Sequence, residues 1–167
     1  MDKIIISETN KILNVNWFSD TIFKNFIYLS KVKELQHTKQ DIVKLLLSKQ
    51  LLCYLIYHNI YNKLMEKYNK VLIGYLIGDF RTLNDGRSVY YISYLFISGI
   101  YRNKKIGTLV MKLLFKKCKY LGIKFILLTC DSSNKKIVDF YKKMGFIKDP
   151  LLGNSSLKYN VYCLFMD

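Results

Sequence analysis

Proline is almost missing from this chain: Pro150 is the single one in 167 residues. No Pro/Gly/Ser-rich stretch occurs either, which excludes a flexible linker or a low-complexity tail as a major part of it. A hydrophobic fraction of 51% points the same way, to a packed fold rather than disorder. Histidine is scarce, with only His37 and His58, and the four cysteines (Cys53, Cys118, Cys130, Cys163) form no Cys-x-x-Cys pair. A zinc site or a disulfide framework is therefore not expected, and the cysteines read as buried, reduced thiols. No apolar run reaches the ~18 residues that span a bilayer. The longest candidate, Leu45 to Tyr57, is broken by Ser48, Lys49 and Gln50. The apolar start at Ile4-Ile5-Ile6 is too short for a signal peptide. One domain over 1–167 is expected, soluble and cytoplasmic, with no membrane and no metal.

Acidic residues are the other deficit: 12 stand against 27 Lys and Arg, for a formal charge of +15. Such an excess invites a nucleic acid or another polyanion. Lysine is spread along the whole chain, however, together with much Asn, Ile and Tyr. A nucleic-acid module would interleave exposed aromatics with its lysines, whereas most aromatics here fall on expected core positions. Nucleic acid is accordingly not expected as a partner, and a ligand carrying several phosphates fits the charge as well.

What is present is a sequence of alternating patterns. Lys3 to Ser7 reads as an opening strand. Trp17 to Ser30 places Phe18, Ile22, Phe26 and Leu29 at helical spacing. Thr38-x-x-Asp41 resembles a capping box that opens a short helix through Ile42, Leu45 and Leu46. Leu51 to Tyr57 has strand character, and His58 to Asn69 reads as a polar, irregular insertion with a helical turn. Val71 to Arg81 and Ser88 to Ser98 form an antiparallel hairpin about the turn Asn84-Asp85-Gly86, with Gly74 and Gly78 marking bulges or close approaches. Ile106, Leu109, Val110, Leu113, Leu114, Cys118 and Leu121 repeat as a helix that Gly122 stops. Ile123 to Cys130 is a strand apolar enough for burial on both faces. Ile137, Phe140, Tyr141 and Met144 predict a last helix ended by Gly145, and Phe146 to Lys148 and Tyr159 to Met166 predict closing strands. The expected class is α/β, with a mixed sheet.

The segment that carries chemistry is Tyr101-Arg102-Asn103-Lys104-Lys105-Ile106-Gly107-Thr108. It follows a strand and opens a helix, so it exposes unpaired backbone amides at the positive end of a helix dipole. Arg102, Lys104 and Lys105 add charge and Gly107 permits close approach, the requirements of a phosphate site. A plain solvated cap would have the same composition.

Ile92 to Met111 resembles the signature region of the GNAT N-acetyltransferase superfamily. There a strand of the form Leu-aromatic-Val precedes Gln/Arg-x-x-Gly-x-Gly/Ala. Leu95-Phe96-Ile97 stands for the strand end, and Arg102 to Gly107 for the turn, with Lys105 in place of the first glycine. Downstream, Asn134-x-x-Ile137-x-x-x-Tyr141 followed by Lys142-Lys143-Met144-Gly145-Phe146 is similar to the superfamily's Asn-x-x-Ala-x-x-x-Tyr-x-Lys-x-Gly-Phe helix, with Ile137 where alanine is usual. Gly74-Tyr75-Leu76-Ile77-Gly78 is similar to its third strand. The resemblance covers Val71 to the end.

It implies a mostly antiparallel central sheet of six to seven strands flanked by about four helices, and acetyl-CoA as donor. The fourth and fifth strands would splay to admit the pantetheine arm. Backbone groups of Leu95, Phe96 and Ile97 would pair with that arm, and amides of Arg102, Asn103, Lys104, Lys105, Ile106, Gly107 and Thr108 would hold the pyrophosphate. An amine would attack the thioester directly in a ternary complex, with Tyr141 protonating the departing thiolate. Tyr141 as a packed core aromatic, and Asn134 as a helix cap rather than a cofactor ligand, are the plainer alternatives. Many relatives carry a general base on the fourth strand, where Ser93 and Tyr94 stand here, on opposite faces if alternation holds. An ordered water, a backbone carbonyl, Asp131, Asp79 or Tyr94 are the substitutes, while His37 and His58 read as surface residues. The acceptor is a small-molecule or peptide amine. An amino sugar phosphate such as glucosamine 6-phosphate suits the basic charge, and polyamines do not. A protein N-terminal or lysine acetyltransferase and a catalytically silent acyl-CoA-binding fold are the alternatives. A homodimer is left open.

Overall fold

The computed structural model describes residues 3–27, 32–153 and 158–167. The chain runs β1 (Lys3–Thr9), α1 (Val15–Phe26), α2 (Lys39–Leu46), β2 (Leu51–Asn62), β3 (Lys67–Thr82), β4 (Ser88–Ile97), α3 (Ile106–Tyr120), β5 (Phe125–Asp131), α4 (Lys135–Lys143), β6 (Ile147–Lys148) and β7 (Tyr159–Phe165). Two 3-10 turns lie at Lys33–Leu35 and Gly99–Tyr101. The strands form one seven-stranded sheet in the order β1-β2-β3-β4-β5-β7-β6. Among the described residues only the β4–β5 pair is parallel. This is the mixed, mostly antiparallel α/β architecture expected. The part of the first predicted helix from Tyr28 to Ser30 lies outside the described residues. Among the described residues no helix is long and apolar enough to cross a membrane.

Local chemistry explains the ends of the elements. Asn14 Oδ1 accepts from the Trp17 amide at 3.0 Å and starts α1. Thr38 and Asp41 make the reciprocal capping box at α2, with bonds of 3.2 and 3.0 Å. The turn from β3 to β4 is tied by Asp85, which accepts from the Arg87 amide at 3.1 Å. Two sequence expectations fail here. Leu109 and Leu113 do not face the core: they are 50% and 36% exposed, and α3 is buried instead through Ile106, Val110, Met111, Leu114 and Cys118. The supposed insertion from His58 to Asn69 is the far end of a long hairpin. Its strands stay in register out to Asn62 and Lys67, a tight turn joins them, and Tyr61 and Tyr68 pack their rings 5.1 Å apart across it.

The sheet has a helix pair on each face. Against α3 and α4 pack Tyr90, Ile92, Ile126, Leu128 and Tyr162, while α1 and α2 cover Cys53, Tyr75, Ile77 and Tyr94. All four cysteines are buried and free, and burial pushes their thiols up, Cys130 to about 12. One strand changes face midway. Ile77 pairs with Tyr94 but the next residue, Gly78, pairs with Ile92, so Ser93 is an extra residue in β4. The strict alternation expected for Ser93 and Tyr94 is therefore broken. Gly78 sits at this bulge because nothing larger fits: an added Cβ would lie 2.2 Å from the Tyr91 carbonyl oxygen.

Candidate active site

Beyond the bulge, β4 and β5 part. Their parallel pairing runs only from Val89–Phe125 to Ile92–Leu128. The Tyr91 and Thr129 hydroxyls hydrogen-bond across the crotch, and past it the strands diverge. The edge of β4 that faces the gap is left without a strand partner. The Ser98 amide donates to Ile73 at 2.8 Å, so ladder alternation aims the backbone groups of Phe96 at β3 and those of Leu95 and Ile97 at the gap. Of the three residues singled out by sequence, two thus present open backbone, while the Phe96 side chain packs on Tyr75 on the other face.

The turn that follows is shaped by two residues in the left-handed region, Asn103 at φ +61° and Lys105 at φ +63°. Lys105 is the N-cap of α3 and makes no side-chain cap bond, so the first-turn amides of α3, Gly107 and Thr108 among them, keep no side-chain acceptor. A Cβ built on Gly107 would meet only the Phe140 ring, at 3.4 Å. The chain itself therefore does not need a glycine there, whereas a ligand seated on the helix end would. Lys104 lies near the Tyr101 ring, with Nζ 5.9 Å from its centroid. Arg102 is turned back instead: its Nε donates to the Ile97 carbonyl at 2.8 Å and its guanidinium lies 5.7 Å from the Phe96 ring centre.

A cleft of ≈ 960 Å³ occupies the gap. Leu95, Ser93 and Tyr94 line it from β4, Asp131 from β5, and Asn134, Ile137 and Tyr141 from α4; residues 33–40 roof it. Ser93 and Tyr94 both reach it, as the bulge allows. Phe96, Ile97 and the turn from Arg102 to Thr108 lie outside this cleft, along the continuation of the same strand edge. Tyr141 is 6% exposed, and its hydroxyl has no hydrogen-bond partner among the described residues. Burial, with a smaller contribution from the Cys130 thiol, pushes its phenol well above the ordinary value, so it holds its proton through neutral pH. Asn134 does cap α4, accepting from the Ile137 amide at 3.3 Å, and it also faces the cleft. Ile137 is 42% exposed at the mouth rather than wedged beneath the helix, which is how a large residue is accommodated where alanine is usual.

The base candidates separate by their partners. Asp131 organises its own turn, accepting from the Ser133 amide at 2.9 Å and hydroxyl at 2.7 Å. Asp79 is paired with Arg81 at 2.9 Å, and burial raises its carboxyl. Tyr94 is 5% exposed and its hydroxyl bonds Nδ1 of His37, which lines the cleft as well. His37 is exposed, as expected, but its contact with Tyr94 and its place on the cleft have no local sequence pattern, because 57 residues separate the two partners. His58 is also not a bare surface residue: its Nδ1 lies 2.6 Å from the Tyr101 hydroxyl. Among the described residues no three His, Cys, Asp or Glu side chains converge as metal ligands.

A strand edge opened by a bulge, leading to a helix N-terminus with free amides, defines the class. The model of the acetyltransferase (GNAT) family matches residues 30–146. The chain belongs to this family, and it is an acetyltransferase. No curated protein matches it by sequence. Solved structures share the fold at low identity. Arabidopsis thaliana NAA60 in complex with acetyl-CoA is 12% identical with a TM-score of 0.69, over 97% of this chain and 100% of that one. The NatC complex bound to Gag peptide and CoA gives 15% and 0.67, over 97% and 99%. A GNAT-family acetyltransferase from Streptococcus pneumoniae gives 14% and 0.66, over 99% and 100%.

Proposed function

We propose that residues 1–167 form one acetyltransferase domain that moves an acetyl group from acetyl-CoA to the amine of a peptide or protein. The observation that carries this reading is the gap between β4 and β5, with an open strand edge and a cleft lined by Tyr91, Tyr94 and Tyr159 among others. The donor supplies an activated acetyl group on a thioester. Its fit to the residues present rests on the open backbone of Leu95, on the Ile97 amide, and on the spare room at Gly107. Leu95, Phe96 and Ile97 form the edge along which a pantetheine arm pairs, Phe96 by holding that edge in register with β3. Arg102, Asn103, Lys104, Lys105, Ile106, Gly107 and Thr108 make the diphosphate cradle, Arg102 by releasing the Ile97 carbonyl to the arm. Asn134 holds the N-terminus of α4 and offers its amide nitrogen to the donor. Tyr141 protonates the sulfur as the C–S bond breaks, an act that keeps a bare thiolate out of a partly dry cleft.

A peptide amine is preferred to an amino sugar phosphate because the cleft offers little to a phosphate. Of its cations, Arg81 is engaged by Asp79 and Lys39 by Asp20 at 3.0 Å, which leaves Lys33 on the roof. Phe23, Phe26 and Ile27 add apolar wall, suited to peptide side chains. The NatC structure, similar in fold, was solved with a peptide and CoA. The test is thiol release from acetyl-CoA against peptides, glucosamine 6-phosphate and polyamines. Turnover with peptides above the others is expected. Preference for the sugar phosphate would overturn the acceptor, and acetyl-CoA binding without turnover on any amine would mean a silent fold.

A further inference from the structure

We propose that His37 takes up the proton that the incoming amine must lose, through the hydroxyl of Tyr94. This rests on the acyl-transfer reading above. An amine reaches the enzyme largely as an ammonium ion, at an ordinary value of about 7.7–8.0 for an α-amino group and about 10.4 for lysine. It cannot attack until it loses a proton, and the strand positions at which many relatives carry a carboxylate hold Ser93 and Tyr94. Tyr94 is too well buried to act alone, because the charged phenolate would stand in an apolar wall with Phe26 5.1 Å away. It is joined to His37 Nδ1, and the His37 ring packs edge-on against it at 5.6 Å. His37 is exposed, so a proton that arrives there leaves to water.

The step balances without any further reactant. As the ammonium gives one proton to the Tyr94 oxygen, Tyr94 gives its own to His37 Nδ1, and the imidazolium passes it to solvent. The neutral nitrogen then forms the C–N bond while the C–S bond breaks. A second proton leaves the nitrogen and replaces the one that the thiol takes from Tyr141.

The charges around His37 favour this direction. Asp41, on α2, lies close enough to sense charge on His37 and on Tyr94, and its own carboxyl is held low chiefly by Thr38. It therefore stabilises an imidazolium. Of the cations facing the cleft, Lys39 and Arg81 are paired, and Lys33 sits on the roof with Glu34 beside it in the chain. Asp131 faces the cleft from β5 and is engaged by Ser133; burial keeps the Tyr91 and Tyr141 phenols protonated, and Tyr159 also lines the cleft. Glu34, on the roof, is the remaining carboxylate that faces the cleft.

The experiment measures kcat/KM for a peptide acceptor with the full chain, its His37→Gln and Tyr94→Phe variants and the double variant, from about pH 6.5 to pH 9.5. At about pH 7 each single variant should lose at least ~30-fold, within the range of general base catalysis. The deficit should shrink to under ~5-fold at about pH 9.5, where the α-amine arrives neutral. The double variant should be no worse than about the poorer single one, since both residues serve one path. Acetyl-CoA affinity should stay within ~2-fold in all of them, showing that the fold survives. A His37→Gln enzyme within threefold of wild type at about pH 7, or a deficit that does not change with pH, overturns the proposal. A wild-type chain that turns over no amine at any pH sinks the acyl-transfer reading itself, which the variants alone cannot do.

Discussion

Tyr141 shows how a single side chain is both packing and chemistry. Its ring stacks edge-on against Phe146 at 5.4 Å and against Phe140 at 5.1 Å, so most of the residue is ordinary core. Only the hydroxyl departs from that role, since it faces the cleft without a partner among the described residues. Tyr141→Phe removes that atom and leaves the ring contacts, so stability should change by less than about 1 kcal/mol. The rate of acetyl transfer should fall at least ~30-fold, somewhat short of the full range for general acid catalysis because a CoA thiolate is already a fair leaving group. Affinity for acetyl-CoA should hardly move, because the hydroxyl acts on charge that develops only during reaction. Steady-state turnover and calorimetric binding on one preparation check both halves, and normal turnover would reduce Tyr141 to a core aromatic. The position of this residue was legible in sequence because its helix has a strong period and a glycine stop. His37 was not legible, since a contact between a loop and a strand bulge leaves no local pattern.

At the scale of elements, the start of α3 is the clearest departure from the superfamily pattern. Lys105 stands where the first glycine is usual, and the structure shows the reason for that glycine: φ is +63°. A side chain in this region costs about 1–2 kcal/mol, and glycine's extra unfolded-state freedom offsets roughly 0.5–1 of that. Lys105→Gly should therefore raise stability by about 0.5–1 kcal/mol, read as a higher urea midpoint at unchanged slope. A loss instead would mean that the lysine side chain holds the turn. A second element-scale device joins the β3–β4 turn to the segment after β6. Arg87 grips Asp149 with bonds of 2.6 and 3.0 Å, and the Asp149 side chain is wholly buried. The Arg87 guanidinium, then the Leu152 and Leu151 amides, hold this carboxyl below its usual range. A carboxylate with a depressed folded value contributes stability above its unfolded value of about 3.9, and that contribution is lost as pH falls through the lower folded value. Asp149→Asn should cost about 2 kcal/mol near neutral pH, less than for an isolated buried pair because Asp85 still holds Arg87. The difference from wild type should shrink as pH falls below the unfolded value of about 3.9. Chemical denaturation at several pH values tests this, and a constant difference would assign the loss to packing. Neither the ion pair nor the outer half of the β2–β3 hairpin was readable. The first joins residues 62 positions apart, and the second carries polar residues because it projects beyond its neighbouring strands.

For the whole molecule the question is what a charge of +15 does. The fold distributes it unevenly by function. On the face of α3 and α4, exposed Lys112, Lys116, Lys119, Lys135, Lys136, Lys142 and Lys143 surround a buried apolar core, and the diphosphate turn with Lys104 and Lys105 opens that same face. Elsewhere part of the charge is neutralised, as where Lys39 meets Asp20 at 3.0 Å. An anionic donor is therefore drawn toward the helix end that is proposed to bind it, and the pull acts over ~10 Å at 0.1 M salt but only ~3 Å at 1 M. Acetyl-CoA affinity should fall on the order of tenfold, about 1.4 kcal/mol, when monovalent salt rises from about 0.05 to about 0.5 M. Lys104→Ala should flatten that dependence while changing high-salt affinity little, because the backbone amides of Ile106 and Gly107 are not screened in the same way. Single-stranded RNA offers the contrast: binding through scattered lysines releases counterions, so it should fall more steeply with salt and show no sequence preference. The measurement is a calorimetric salt series with acetyl-CoA, repeated by fluorescence anisotropy with a labelled RNA. RNA affinity that outlasts acetyl-CoA affinity at about 0.15 M salt would make the basic face a nucleic-acid surface first. A donor affinity flat across the series would leave the amides and the strand edge as the whole of the site.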